Sequence, residues 1–484
     1  MTNIAVPTTD LAGLPISRVL TGLWQLADME RDGRTLDLER TADAMQRYVD
    51  AGLTTFDMAD HYGSAELVAG MFRSRHTGPV QCLTKWVPKP GRVSRTDVRA
   101  AVELALTRLQ ADAIDLLQFH AWNYADPSWL ETLFHLQDLK HEGLIRHLGL
   151  TNVDTAHLRI VKNSGIDVVS NQVSYSLLDQ RAASGLGPYC AAAGIGLLAY
   201  GTVAGGWLTE KWLGQAEPEW ERNGTWSMMK YGRFMRVAGG WDALQRVLVT
   251  AKRIVDRHDV SIANVATRYI LEQPGVAGVI VGARLGERAH VDDTVRLFSF
   301  SLSDADRAEM QNVLGTLHRI PGDCGDEYRV PPFLTASGDL SHHLQAMPPP
   351  YETVTGTDGR ARCLSGTVWE TAAGFARAIR HGRHIAISGT TATLGDRAIG
   401  GTDPAAQTHF AIDKIEGALQ SLGAALTDVV RTRIYVRHAR DWEPVARAHG
   451  ERFGRIQPAN TLVGAELVGD EYLVEIEADA IVGE

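Results

Sequence analysis

Short runs rich in apolar and β-branched residues alternate with longer stretches of helical periodicity along the first part of the chain. The runs are VLTGLW (19–24), TTFDMA (54–59), VQCLTKW (80–86), AIDLLQFHAW (113–122), IRHLGLTN (145–152), DVVSNQVSY (167–175), IGLLAYG (195–201) and VAGVIVGA (276–283). They are apolar at consecutive positions, as strands buried on both faces of a parallel sheet must be. Between them, residues 38–52, 97–109 and 129–143 follow a helical spacing, and several such segments end in glycine, a common helix stop. Eight strand–helix units predict a (β/α)8 TIM barrel. A doubly wound sheet is the alternative. No GxGxxG follows the first strand, however, and no GxxxxGK[ST] occurs, so the usual phosphate loops of such sheets are missing.

The pattern changes at 318–353, where Gly, Pro and Asp accumulate and periodicity is lost. MPPP (347–350) is expected to be a linker. Strands are then predicted at 383–392, 429–436 and 471–482, with helices at 404–423 and 441–453. The expected organisation is a barrel over 1–320, a tail and linker over 321–352, and a compact α+β domain over 353–484.

Composition narrows the function classes. Lys and Arg total 48 against 58 Asp and Glu, a net charge of −10. That balance argues against nucleic acid as the main partner, because phosphate binding leaves a basic footprint. No apolar stretch is long enough for a membrane span, and the N-terminus has no basic region ahead of an apolar run. Four cysteines, at 82, 190, 324 and 363, form no CxxC and no metal-like cluster. The expectation is a cytoplasmic protein with no metal, no membrane and no nucleic-acid partner.

Candidate chemistry gathers at the predicted strand ends, where a barrel keeps its reactive groups. In TTFDMADHYGSAE (54–66), Asp57 and Tyr62 follow the second strand; Lys85 ends the third and His120 the fourth. Singly, each has an ordinary structural role open to it: a cap, a half-buried ring, a snorkelling chain, a core histidine. Together they suit carbonyl reduction. A carbonyl that accepts hydride needs a proton, and tyrosine, titrating near ~10, still holds one at neutral pH. A nearby ammonium eases its loss, a carboxylate anchors the ammonium, and an imidazole orients the carbonyl oxygen.

FDMADHYGSAE, LTKW, LLQFHAW, GLTNVD, SNQVSYSLL, LLAYG and IVGAR, in that order, closely resemble the aldo-keto reductase superfamily over about residues 14–317. The resemblance implies a nicotinamide cofactor bound without a Rossmann fold and a catalytic tetrad of Asp57, Tyr62, Lys85 and His120. It places Gly22 and Trp24 at the cofactor, Thr151, Asn152 and Gln172 on the carboxamide, and the Tyr200 ring against the nicotinamide. It assigns Gly282, Ala283 and Arg284 to the adenine-phosphate loop. The next segment, LGERAHVDDTV, departs from the family pattern, with Thr294 where Asn is common. Arg284, Arg288 and His290 suit a 2′-phosphate and so favour NADP(H); a solvated helix face is the other reading of Arg288 and His290. Trp24, Trp122 and Trp207 are expected walls of the substrate pocket. GDCGDEYR (322–329) either closes over that pocket or lies on the barrel exterior.

The C-terminal stretches SGTVWE, GFARAIRHGRHIAISGTTA, DVVRTRIYVR, RIQPANTLVGAELV and YLVEIEADAIV resemble the Rid, or YjgF, family over about 353–484. That resemblance implies a chorismate-mutase-like α+β fold, a homotrimer and ligand clefts between subunits. Enamine- and imine-hydrolysing members clamp a carboxylate with an arginine after a Pro-Ala pair. Here Pro458-Ala459 is followed by Asn460, while Glu475 matches an acidic residue near the cleft. Ligand binding, another imine chemistry and assembly stay open for this domain. The expected function is NADPH-dependent reduction of an aldehyde or ketone. Dehydrogenation of an alcohol or sugar lactol, and a non-catalytic nicotinamide-sensing protein, are the alternatives.

Overall fold

The computed structural model describes residues 4–31, 33–287 and 290–483. A hairpin, β1 (Thr8–Leu11) and β2 (Leu14–Ser17), opens the chain. Eight parallel strands follow: β3 (Val19–Gly22), β4 (Thr55–Asp57), β5 (Gln81–Trp86), β6 (Ile114–Phe119), β7 (Ile145–Thr151), β8 (Val168–Ser174), β9 (Gly196–Tyr200) and β10 (Val276–Gly282). They close into a barrel, with β10 returning to β3. Each coincides with a predicted run, trimmed by one to four residues. The β4 strand is buried throughout although it holds only three residues, because helices cover it outside and side chains fill the barrel inside.

The hairpin was absent from the expectation. It is polar on one face, and Leu11, Leu14 and Ile16 turn inward to meet Leu20, Leu83, Leu116 and Leu198. Only Arg18 separates β2 from the first residue of β3, so this plug seals the end where strands begin. The open end is therefore the one where strands finish. The predicted helix 38–52 is broken into Leu38–Asp43 and Gln46–Asp50, and Trp24 opens an unpredicted helix, Trp24–Glu30.

The second domain is a seven-stranded sheet with helices on one face. Its strands are β11 (Glu352–Thr355), β12 (Ala361–Leu364), β13 (Ala378–His381), β14 (His384–Thr391), β17 (Val429–Val436), β18 (Ala459–Gly464) and β19 (Val474–Ile481), with a small hairpin, β15 (Thr393–Leu394) and β16 (Arg397–Ala398), between β14 and the rest. Spatial order is β11-β12-β13-β14-β19-β17-β18. Only β14, β17 and β19 were predicted; the outer strands are four residues long or, like β18, exposed along nearly their whole length.

Helix Pro404–Ser421 is buried on almost every side. One side covers the domain's own sheet through Ile412, Ile415 and Leu419. The other inserts Ala406 and Phe410 into the core of the barrel, beside its helix Thr155–Asn163. The segment before the sheet does not hang free either: Cys324, Leu334 and Thr335 are buried. Among the described residues no helix is long and apolar enough to cross a membrane.

Candidate active site

At the open end of the barrel a cavity of about 220 Å³ is lined by Asp57, Tyr62, Lys85 and His120 together. Successive strands place them there. Asp57 ends β4, Lys85 is next to last in β5, and His120 follows β6. Lys85 Nζ donates to both Asp57 oxygens at 2.8 Å and to the Met58 carbonyl at 2.8 Å. The same ammonium lies 5.0 Å from the centre of the Tyr62 ring. Trp24 meets that ring edge-on at 4.9 Å.

Burial pushes the Tyr62 hydroxyl well above its usual range, and Asp57 adds to the effect. The phenol therefore keeps its proton across neutral pH. Burial also lowers the Lys85 ammonium, against the opposing pull of Asp57. His120 is held well below its ordinary value by burial and then by the Arg329 guanidinium, so its imidazole is neutral. Its Nδ1 faces the Thr151 carbonyl at 3.4 Å, and Nε2 is buried without a partner among the described residues. A carbonyl at Nδ1 calls for the proton there, which leaves Nε2 an acceptor. The donor role expected of His120 needs the other tautomer. A contact as long as 3.4 Å costs little to give up.

Two residues brace the carboxylate from across the barrel. Gln172 donates to Asp57 Oδ1 at 2.7 Å and Gln118 to the same oxygen at 3.3 Å. Gln172, expected on a cofactor carboxamide, is thus tied into the tetrad, and its amide also donates to Gln118 Oε1 at 2.9 Å. Gln118 was missed. It stands two positions before His120 on β6, the spacing that puts both on the inward face.

Gly22, Trp24, Trp122, Thr151, Asn152, Tyr200 and Gly282 also line this cavity. Asn152 takes a left-handed φ of +59°, which asparagine tolerates, and its Oδ1 accepts from the Tyr200 hydroxyl at 2.8 Å. A second cavity of about 510 Å³ contains Arg284 and His290. The two cavities share Gln25, Val203, Gly205, Ser227 and Gly282, so they form one continuous groove. At its waist Gly22 and Gly282 are register partners on β3 and β10. A Cβ on Gly282 would come within 2.5 Å of the Gln25 side chain, whose own Oε1 is buried and without a partner among the described residues. The two glycines leave Gln25 and Ile280 room to pack at this waist, and a long groove running past them fits an extended dinucleotide.

One expectation changes, and two residues of the expected phosphate loop make contacts of their own. Trp207 is fully buried among Trp212, Trp220 and Trp241, with Nε1 donating to the Met228 carbonyl, and does not line the pocket. Its indole belongs to an aromatic cluster behind the wall. Ala283 is buried behind the groove, its N–H donating to the Gly22 carbonyl at 2.9 Å. Arg284 is engaged with Asp28 at 2.9 Å. Arg288 lies outside the described residues.

The tail, left open between two placements, lies over the mouth of the cavity. Tyr328, Ala336, Ser337 and Gly338 line it. The Tyr328 hydroxyl meets that of Tyr200 at 3.3 Å and accepts from Lys230 Nζ at 2.6 Å. Arg329 is buried beneath, donating to the carbonyls of Ala121 at 3.0 Å and Asn152 at 2.6 Å. Glu327 pairs with Arg181 at 2.8 Å. The acidic, aperiodic tail hides these contacts in the sequence, because every one of these partners is 98 or more residues away.

The model of the aldo/keto reductase family matches residues 18–314. The chain belongs to this family. Its C-terminal part, 367–482, matches the model of the endoribonuclease L-PSP family, which is the Rid/YjgF family. An NADH-specific methylglyoxal reductase of Escherichia coli is 26% identical over 343 residues, spanning 66% of this chain and all of the relative. The uncharacterized protein SCO2049 of Streptomyces coelicolor is 37% identical over 123 residues, 25% of this chain and 92% of its own. The solved glycerol dehydrogenase of Gluconobacter oxydans superimposes with a TM-score of 0.54 at 21% identity, over 67% of this chain and 98% of that one, and shares the fold. This aldo-keto reductase therefore carries a Rid-type domain at its C-terminal end.

In that domain Asn460 and Glu475 are not brought together within one chain. Asn460 pairs in register with Thr432, turns to the helix side and donates to Thr432 Oγ1 at 2.9 Å. Glu475 pairs with Tyr435 and lies on the opposite, uncovered face with Glu477 and Asp479. Burial raises the Glu475 carboxyl above its usual range.

Proposed function

We propose that this protein reduces an aldehyde or ketone with NADP(H), Tyr62 being the general acid. The observation that carries the reading is the Lys85–Asp57 pair buried directly beneath a protonated Tyr62, in a groove that continues to Arg284. A bound nicotinamide supplies the hydride. Tyr62 gives its proton to the carbonyl oxygen, Lys85 steadies the negative charge left on the phenol, and Asp57, held by Gln118 and Gln172, fixes Lys85 in place. The lid formed by Tyr328 and Ser337 excludes water and raises the strength of every one of these contacts. Arg284 and His290 at the far end support a 2′-phosphate, although Arg284 must loosen from Asp28 to reach it. The same residues serve alcohol or lactol oxidation, in which an acceptor Nε2 on His120 would receive the alcohol hydroxyl's hydrogen bond.

The Rid-type domain is proposed to assemble three chains through its uncovered sheet face, which brings each Glu475 near a neighbour. With an amide at position 460 there is no guanidinium to pair with a carboxylate, so hydrolysis of α-imino acids is not expected. NADPH oxidation against a panel of aldehydes, ketones and sugars tests the first reading, and no turnover with any of them would overturn it. Light scattering on the whole chain tests the second.

A further inference from the structure

The substrate cavity holds more positive charge than the tetrad uses. Asp57 is the one carboxylate among its described lining residues, and Lys85 neutralises it. Arg31 and Lys230 remain. Helix Trp226–Val237 sets both of them. Trp226 and Lys230 stand four apart, on one helix face. The Arg31 guanidinium lies 5.2 Å from the Trp226 ring and 4.5 Å from the Trp24 ring, and Nη1 donates to Ser337 Oγ of the lid at 3.2 Å. Trp24 is the ring that meets Tyr62. Lys230 Nζ lies 4.7 Å, 5.3 Å and 4.8 Å from the rings of Tyr200, Tyr231 and Tyr328.

Aromatic faces hold a cation in position without cancelling its charge. Asp28 and Glu327 lie near enough to act on Arg31 and Lys230, but the direct ion pairs they make are with Arg284 and Arg181. Arg31 is exposed at the mouth and Lys230 is set among rings deeper in, so an incoming anion meets the guanidinium first and positive charge behind it. Resting on the function proposed above, we infer that the physiological substrate is a carbonyl compound bearing a carboxylate, which Arg31 binds and Lys230 attracts. With its carbonyl oxygen at Tyr62, such a molecule runs along the Trp24 ring, whose centre is 4.9 Å from that of Tyr62 and 4.5 Å from the guanidinium. In the reaction the carbonyl carbon gains a hydride and its oxygen the Tyr62 proton. The carboxylate is unchanged.

The test compares succinic semialdehyde with butanal, equal in length and differing in the carboxylate. The wild type is expected to prefer the semialdehyde in kcat/KM by about tenfold or more, and Arg31→Gln to lower that preference by about tenfold, as loss of one charge-assisted contact predicts. Succinate and butanamide titrated into the enzyme saturated with oxidised dinucleotide, followed by tryptophan fluorescence, give a readout without turnover. Succinate should bind and should weaken by about tenfold in Arg31→Gln. Equal succinate binding by both proteins, or no preference between the aldehydes, overturns the inference. So does a variant whose only defect is weaker NADPH binding, since the anion held would then be a cofactor phosphate. If no carbonyl compound is reduced, the proposed function fails and the succinate titration still decides the anion site.

Discussion

The two ends of this chain treat their polar residues in opposite ways. The barrel collects four ionisable groups from strands far apart in sequence into one cavity, where burial shifts Tyr62 and His120 strongly and lowers Lys85. The second domain spreads Asn460 and Glu475 over two faces of one sheet, with Asn460 exposed. A closed barrel completes its site within one chain because its strands all end on the same rim. An open sheet cannot. Its face becomes a pocket only when something else covers it.

Breaking the barrel side should give the largest effect. Tyr62→Phe keeps the ring and removes the proton, and turnover is expected to fall on the order of 10²-fold or more, with dinucleotide binding retained in a fluorescence titration. Because the folded site raises the Tyr62 pKa, reduction by the wild type should persist through neutral pH and decline only in the alkaline range. A pH profile of kcat that falls already near neutrality would contradict this.

The seam between the two regions is next. His157 stacks on Tyr124 at 3.4 Å, with Asp154 on Nδ1 at 2.7 Å and Asp413 of the second domain on Nε2 at 3.1 Å. Burial alone would lower its pKa, but the two carboxylates outweigh that and raise it to about 9. A raised folded value means the stabilisation is complete below the unfolded pKa of about 6.5 and is lost as pH rises through about 9. The difference is on the order of 3 kcal/mol at most. Thermal unfolding between pH 6 and 10 should show that loss in the wild type and little of it in His157→Gln.

Arg284→Ala should weaken NADPH binding by roughly ten- to a hundredfold, the value of a charge-assisted contact, and leave NADH nearly unchanged. Equal losses would make Arg284 a structural partner of Asp28. The smallest effect belongs to Asn460→Ala, which removes one hydrogen bond at an exposed position. It should cost about 1 kcal/mol or less in a denaturant titration and leave carbonyl reduction untouched. A large change in reduction would mean that the two regions share more than their seam.

The legibility of the sequence follows the same division. The eight barrel strands and the tetrad stood out because burial on both faces forces long apolar runs, and because reactive residues fall just after them. Short or exposed strands such as β11, β12 and β18 carry no such run, so their existence depends on neighbours the sequence does not display. Gln118 was legible in principle from its spacing to His120. Arg31, Lys230 and Arg329 were not. Arg31 lies just outside a helix, Arg329 ends one and Lys230 stands within another. Each has a partner in a distant loop or the tail, and a lone basic residue in such a place looks like any solvated side chain. Trp207 failed for the converse reason: a tryptophan near a strand end suits a core as well as a pocket, and three other indoles decided it.

The lid has a consequence for how the gene can be cut. Tyr328, Ala336 and Ser337 complete the barrel's cavity, yet they lie beyond the last barrel helix, Asp304–Leu314, on the stretch that leads into the second domain. A stop codon placed at the visible end of the barrel pattern, near residue 320, would release a protein with all four tetrad residues and an unroofed site. Any attempt to separate the two halves, by protease or by cloning, has to spare the chain through about residue 345. Substitutions that alter the roof are thus borne on what looks like spacer, and variation between related proteins in that stretch is where changes of substrate should be sought.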